Sequence, residues 1–225
     1  MVIGIIGALN KEVELIKKQM VKIEPKEILG NTFYKGNLFN KEVVLCECSI
    51  GKVNAAITTT AMVMEYKPDV IINTGISGSL NTNVKVLDTV IANKISLHDE
   101  GEEFSRYYPF KTSFDILEKL ITIAKQAAKT LNNVHIGEVI TGDVFVNSNA
   151  KKQELKKNFK NAITVDMEVG AIAKACFRSK TDLLVIKTIS DEADDKAKIC
   201  FDNFIDSASE KSSAMVLKII ELLQQ

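Results

Sequence analysis

A chain of 225 residues, 46% hydrophobic and 26% charged, has the composition of a soluble globular protein. Its 29 basic and 29 acidic residues cancel, so the charge balance supplies no pull toward nucleic acid or an anionic membrane surface. The apolar run at residues 2–9 is too short to span a bilayer and lacks the basic leader and cleavage site of a signal peptide, so a cytoplasmic protein with no membrane attachment is expected.

Residues 2–6 form an unbroken apolar run, the pattern of a strand buried on both faces. Asn10 can cap a helix over residues 11–20, with Val13, Leu15, Ile16 and Met20 turned inward. Residues 32–39 and 42–49 read as a hairpin-like pair of strands around Asn40-Lys41. A helix rich in Ala and Thr over residues 53–66 ends at Lys67-Pro68. A second apolar strand, residues 70–74, runs into the glycine-rich stretch Gly75-Ile76-Ser77-Gly78-Ser79. Residues 84–93 read as a strand, residues 96–109 as irregular, and residues 113–131 as an amphipathic helix. Residues 135–141 form a strand leading into Gly142-Asp143-Val144-Phe145, and residues 151–159 a short charged helix. The chain closes with strand 163–165, helix 168–177, strand 183–189 and helix 202–223. Apolar strands alternating with helices predict an α/β protein with a largely parallel, covered sheet. No repeat, low-complexity tract or linker divides residues 1–225, so a single domain is expected.

The four cysteines form no C-x-x-C, and His98 and His135 are far from all of them in sequence. Buried, reduced thiols are expected, with no metal site.

Two stretches carry the chemistry. Val165-Asp166-Met167-Glu168 and the run from Leu183 through Ile189 to Ser190-Asp191 each pass from an apolar strand into carboxylates. In open α/β folds ligands bind outside the carboxyl ends of strands, where such groups meet them. Taken singly, Asp166 and Ser190 or Asp191 would also serve as helix N-caps. Glu12, in the first turn of a helix, would likewise complement the helix dipole.

Four motifs taken in order change that balance: Ile3-Gly4-Ile5-Ile6-Gly7-Ala8-Leu9 with Glu12, Gly51-Lys52-Val53-Asn54-Ala55-Ala56, Val165-Asp166-Met167-Glu168, and Ile189-Ser190-Asp191. Together, over nearly the whole chain, they resemble the purine nucleoside phosphorylase-like superfamily, most closely its methylthioadenosine/S-adenosylhomocysteine nucleosidases. The resemblance implies a three-layer α/β sandwich with a central mixed, partly barrel-like sheet flanked by helices. It also implies a homodimer and hydrolysis of the bond between adenine and a 5′-thio-substituted ribose, with small adenine nucleosides as partners and no cofactor. On the same resemblance Asp191 is the general acid toward adenine N7, oriented by Ser190, and Glu12 activates water. Glu168 grips the ribose hydroxyls, Met167 packs on the ribose, and Phe145 and Val146 flank the purine. Leu9, Ile50 and Phe201 are candidates for the apolar 5′ pocket. Met167 and Phe145 would fit equally as plain core residues. Two positions depart from the family pattern: Ile76 stands where a small residue is usual near the water site, and Lys187 where Arg is usual.

Chemistry supports the assignment independently. Cleaving an N-ribosidic bond builds positive charge on the sugar and negative charge on the base, and carboxyl groups can protonate, stabilise and deliver water. The alternatives are a nucleoside phosphorylase on the same fold, or a nucleosidase preferring aminodeoxyfutalosine. Phosphate binding favours clustered arginines, and neither Arg106 nor Arg178 is beside Gly7 or Gly75 in sequence. A dinucleotide fingerprint fails, because Gly4-Ile5-Ile6-Gly7 lacks the third glycine.

Overall fold

The computed structural model describes residues 1–107 and 109–223. In chain order the elements are β1 (Val2–Gly7), α1 (Asn10–Gln19), β2 (Val21–Ile28), β3 (Asn31–Leu38), β4 (Lys41–Glu47), α2 (Lys52–Tyr66), β5 (Val70–Ser79) and β6 (Thr89–Leu97). There follow β7 (Ser113–Asp115), α3 (Glu118–Ala127), β8 (Val134–Thr141), α4 (Asn149–Asn158), β9 (Ala162–Asp166), α5 (Val169–Ser179), β10 (Asp182–Asp191) and α6 (Ala197–Leu222).

All ten strands join one sheet. β5, β10, β6, β8 and β9 close on themselves, because β10 pairs with both β5 and β6 while β9 pairs with both β8 and β5. The result is a five-strand barrel, as the mixed, partly barrel-like reading required. From it β1, β4, β3 and β2 extend as an open wing. The sheet as a whole is mixed rather than largely parallel: within the ring β10 runs antiparallel to β6 and β9 to β5, and outside it β2–β3, β3–β4 and β6–β7 are antiparallel. α1, α3 and α6 pack together on one side of the sheet, and α2 and α5 on the other. β1 earns its central place by composition, since Ile3, Ile5 and Ile6 are all fully buried between the helix layers.

Four sequence expectations shift. β2 was not anticipated: Lys22, Glu24, Lys26 and Glu27 around Pro25 look like loop, yet an exposed edge strand tolerates charge and a proline. The strand expected at 84–93 starts at Thr89, because residues 80–88 are held in turns by Ser79 and Asp88. The helix expected from 113 starts at Glu118, since Ser113–Asp115 pairs instead with β6. Asn10 does not cap α1; the N-cap is Leu9, and the free amides there find Glu12.

Candidate active site

The carboxyl ends of β1, β4, β8, β9 and β10, with the last third of β5, converge on one cavity of about 320 Å³. Leu9, Glu12, Ile50, Ile76, Phe145, Val146, Met167, Glu168, Ser190, Asp191 and Phe201, all picked out from sequence, line it. Four acids line it, Glu12, Asp166, Glu168 and Asp191, in a wall that is otherwise largely apolar.

Glu12 is anchored by backbone. Its Oε2 accepts from Ala8 N at 2.6 Å and Leu9 N at 2.9 Å, and its Oε1 accepts from Ile76 N at 2.9 Å. Burial pushes its pKa up, while the Lys187 ammonium and the three amides oppose that shift. Gly75, beside it on β5, has φ +153°, and a Cβ there would overlap the Glu12 carboxylate. Ile76 therefore contributes its amide to the acid even though its side chain offers no polar contact.

Glu168 is the N-cap residue of α5, and its Oε1 accepts from Gly51 N at 2.9 Å. Burial, then the charge of neighbouring Asp166, push its pKa up to about 8, against the pull of Lys187. Asp166 is an anchor for the structure around it. It accepts from Thr141 Oγ1 at 2.6 Å, from Val169 N at 3.1 Å and from Lys187 Nζ at 2.9 Å. Asp166 is not the N-cap residue of α5, which is Glu168, but its side chain accepts from the helix's first amide and so holds the start of α5. Burial alone would lower the pKa of fully buried Lys187, but Asp166, Glu12 and Glu168 outweigh it and keep the ammonium charged.

Asp191 ends β10. Its Oδ2 accepts from Ser190 Oγ at 2.8 Å and its Oδ1 from Ala193 N at 2.8 Å. Burial pushes its pKa up, opposed by those two bonds. The N-cap reading fails here, since α6 begins only at Ala197. A Cβ on Gly78 would come within 2.9 Å of Asp191 Oδ1, so β5 presents a glycine to each of the two acids. Nearby, Lys152 Nζ donates to Glu192 O at 2.5 Å and pins the loop that follows.

Phe145 and Phe201 meet edge to face at 5.8 Å and form an aromatic corner, with Lys198 beside it. Sequence reasoning missed Lys198, the Lys187–Asp166 pair and the two glycines. One signal was available for the pair: a lysine in the middle of an otherwise apolar strand must find a buried anion.

A family model described as "Phosphorylase superfamily" matches residues 2–221. The chain is similar to a 5′-methylthioadenosine/S-adenosylhomocysteine nucleosidase from an Exiguobacterium species, at 35% identity covering all of both chains. Among solved structures, the Neisseria meningitidis enzyme of the same name, in complex with methylthio-immucillin-A, superposes with a TM-score of 0.94 at 35% identity over 99% of each chain. Futalosine hydrolase of Helicobacter pylori superposes at 0.92 with 29% identity over 99% of this chain and 98% of its own.

Proposed function

This chain belongs to the phosphorylase superfamily, and from that premise we infer that it is a nucleosidase. It hydrolyses the N-glycosidic bond of 5′-methylthioadenosine and S-adenosylhomocysteine, releasing adenine and the 5′-substituted ribose. The observation that carries the residue roles is the placement of Glu12, Glu168 and Asp191 around one largely apolar cavity.

In this reading the base lies between Phe145 and Val146, the ribose lies on Met167 under Glu168, and the 5′ group points to Leu9, Ile50 and Phe201. Asp191 transfers a proton to N7 as the bond to the sugar lengthens and the electron pair moves to the base. A free Asp titrates near 3.9, so about one in a thousand would carry the proton at pH 7. Burial of Asp191 raises that fraction, and the remainder of the proton's stabilisation comes from sharing it with N7. Glu168, its pKa pushed up to about 8 by burial and so largely protonated at neutral pH, grips the ribose hydroxyls, and ionised Glu12 favours the cationic sugar as it forms. Glu12 accepts a proton from water as its oxygen attacks the anomeric carbon. Met167 and Phe145 so act on ligand rather than as plain core.

Phosphorolysis is disfavoured by the charges present. Arg178 lines a separate cavity with Lys52 and Lys174, and Arg106 stacks over Tyr107. Neither supplies the bidentate fork that phosphate favours. The deciding experiment is adenine release from methylthioadenosine in phosphate-free buffer, across a panel that includes adenosylhomocysteine and aminodeoxyfutalosine. Turnover without ribose 1-phosphate is expected; an absolute phosphate requirement would overturn the hydrolase reading. Preference for aminodeoxyfutalosine would instead align the chain with its futalosine hydrolase neighbour.

A single-domain homodimer in the cytoplasm completes the reading. The four cysteines are free, as suits a reducing compartment, and among the described residues no helix is long and apolar enough to cross a membrane. Val53, Ile57 and Met64 form an exposed apolar stripe along α2, which suits a subunit interface. Of the aromatic segment at residues 104–110, Tyr107 is exposed, whereas Tyr108 and the Phe104 side chain lie outside the described residues. Sedimentation equilibrium showing only monomer at micromolar concentration would remove the dimer.

A further inference from the structure

The N-cap of α2 is Gly51, which has no side chain to satisfy the helix's first amides. Those amides find partners elsewhere in the chain. Gly51 N donates to Glu168, the one hydrogen bond to that carboxylate among the described residues. Lys52 N donates to Asp143 Oδ1 at 2.7 Å, so a remote loop provides the missing cap. Asp143 belongs to the same loop as Val144, Phe145 and Val146, which line the cavity.

Asp99, just beyond β6, ties these pieces together. Its Oδ2 accepts from Asp143 N at 2.9 Å, and its Oδ1 accepts from Lys52 Nζ at 2.7 Å. The Lys52 side chain is only 17% exposed and Asp99 27% exposed, so the pair is shielded enough to hold a fixed geometry. Burial alone would raise the Asp99 pKa, but Lys52 and the Asp143 amide outweigh it and hold the carboxyl below its ordinary value. The corner is also close-packed: a Cβ on Gly142 would overlap the His98 ring. Asp99 itself does not line the cavity.

We propose that Asp99, acting through Lys52 and Asp143, is a positioning residue that sets the Gly51 amide against Glu168 and so couples the loop flanking the base to the carboxylate gripping the sugar. The proposal rests on the nucleosidase reading above. Its physical content is that Glu168 is aimed by a helix terminus, and that terminus is fixed by a carboxylate outside the pocket. Loss of the clamp lets the first turn of α2 drift, and a misplacement of about 1 Å can cost about 100-fold in rate.

The test is a double-mutant cycle on adenine release from methylthioadenosine in phosphate-free buffer, using wild type, Asp99→Ala, Glu168→Gln and the double variant. Asp99→Ala alone is expected to lower kcat/KM by about 10–100-fold. In the Glu168→Gln background the same change should cost less than about twofold, because the carboxyl that the clamp aims is no longer there. General destabilisation would reduce both backgrounds alike. Lys52→Met, which keeps the backbone amide but removes the ammonium, carries the same cycle if Asp99→Ala does not fold. Independent, multiplying effects in an active enzyme would overturn the clamp alone. A wild type that releases no adenine would overturn the nucleosidase reading and the clamp with it.

Discussion

The two ends of the cavity are equally buried and differently furnished. Glu12 and Asp191 are each 2% exposed, so each carries a full desolvation burden. Glu12 meets that burden with three backbone amides and the nearby Lys187 ammonium. Asp191 has one hydroxyl and one amide, with the charge of Asp194 close enough to push its pKa further up. Both pKa values are pushed up by burial; Glu12 has Lys187 and three amides opposing that shift, and Asp191 has a hydroxyl, one amide and Lys152. In the proposed reaction the first takes a proton from water while the second gives one to the base.

The strongest challenge to this contrast is to remove proton transfer at one end. Asp191→Asn keeps shape and hydrogen bonding but cannot protonate N7, so kcat should fall by ~10²–10⁴-fold while an adenine analogue still binds by calorimetry. Glu12→Gln should also slow turnover and spare binding, and single-turnover measurements should trace its defect to water attack. Near-wild-type turnover by Asp191→Asn would erase the distinction.

Next in size is the cation. Lys187→Met leaves Asp166, Glu12 and Glu168 without their buried counter-charge, and losing one partner of a buried ion pair costs about 3–5 kcal/mol. Urea unfolding should show that loss, and Asp191, whose carboxyl is set by burial and by Ser190, Ala193, Asp194 and Lys152, should retain its character.

The two glycines of β5 sharpen the comparison further. Gly75→Ala drives a methyl into the Glu12 carboxylate and should cost about 100-fold in kcat. Gly78→Ala presses on Asp191 from 2.9 Å and should cost less, because at Gly75 the added Cβ would come closer still to Glu12 Oε1 and the φ of +153° adds strain. Equal losses would mean that both acids are held with the same stiffness.

The smallest effect is in pH. Glu168 has its folded pKa raised to about 8 by burial, so the folded state binds a proton that the unfolded state releases near 4.5. Its stabilising contribution is therefore full below pH 4.5 and is lost as pH rises through about 8. Burial raises Glu12 and Asp191 in the same sense. The Tm of the ligand-free protein should decline from pH 5 to 8, and Glu168→Gln should flatten that slope.

Much of this arrangement can be read before any coordinates. Buried strands announce themselves as unbroken apolar runs, and each of the two decisive runs ends in carboxylates at the residue where the strand ends. The residues chosen around the cavity come from such strand ends, from the loop after β8, and from the first turns of α1 and α6. What stayed hidden depends on pairing across the fold. The register that sets Lys187 against Gly75 fixes where the lysine sits, yet leaves no local trace in sequence. β2 shows no hydrophobic period because nothing covers it. Asp99 and Asp143 look like solvated loop acids until α2 is seen to begin between them.

The closure of the ring has an evolutionary corollary. β5 and β10 run side by side, with Lys187 opposite Gly75 and Asp191 opposite Gly78, so both acids are gauged along a single strand. Inserting one residue into either strand would turn every side chain beyond it to the opposite face and separate both acids from their glycines. The exposed edge strand β2 carries no such constraint. In β5 and β10 the length of the text, as much as its spelling, is what inheritance has to copy faithfully.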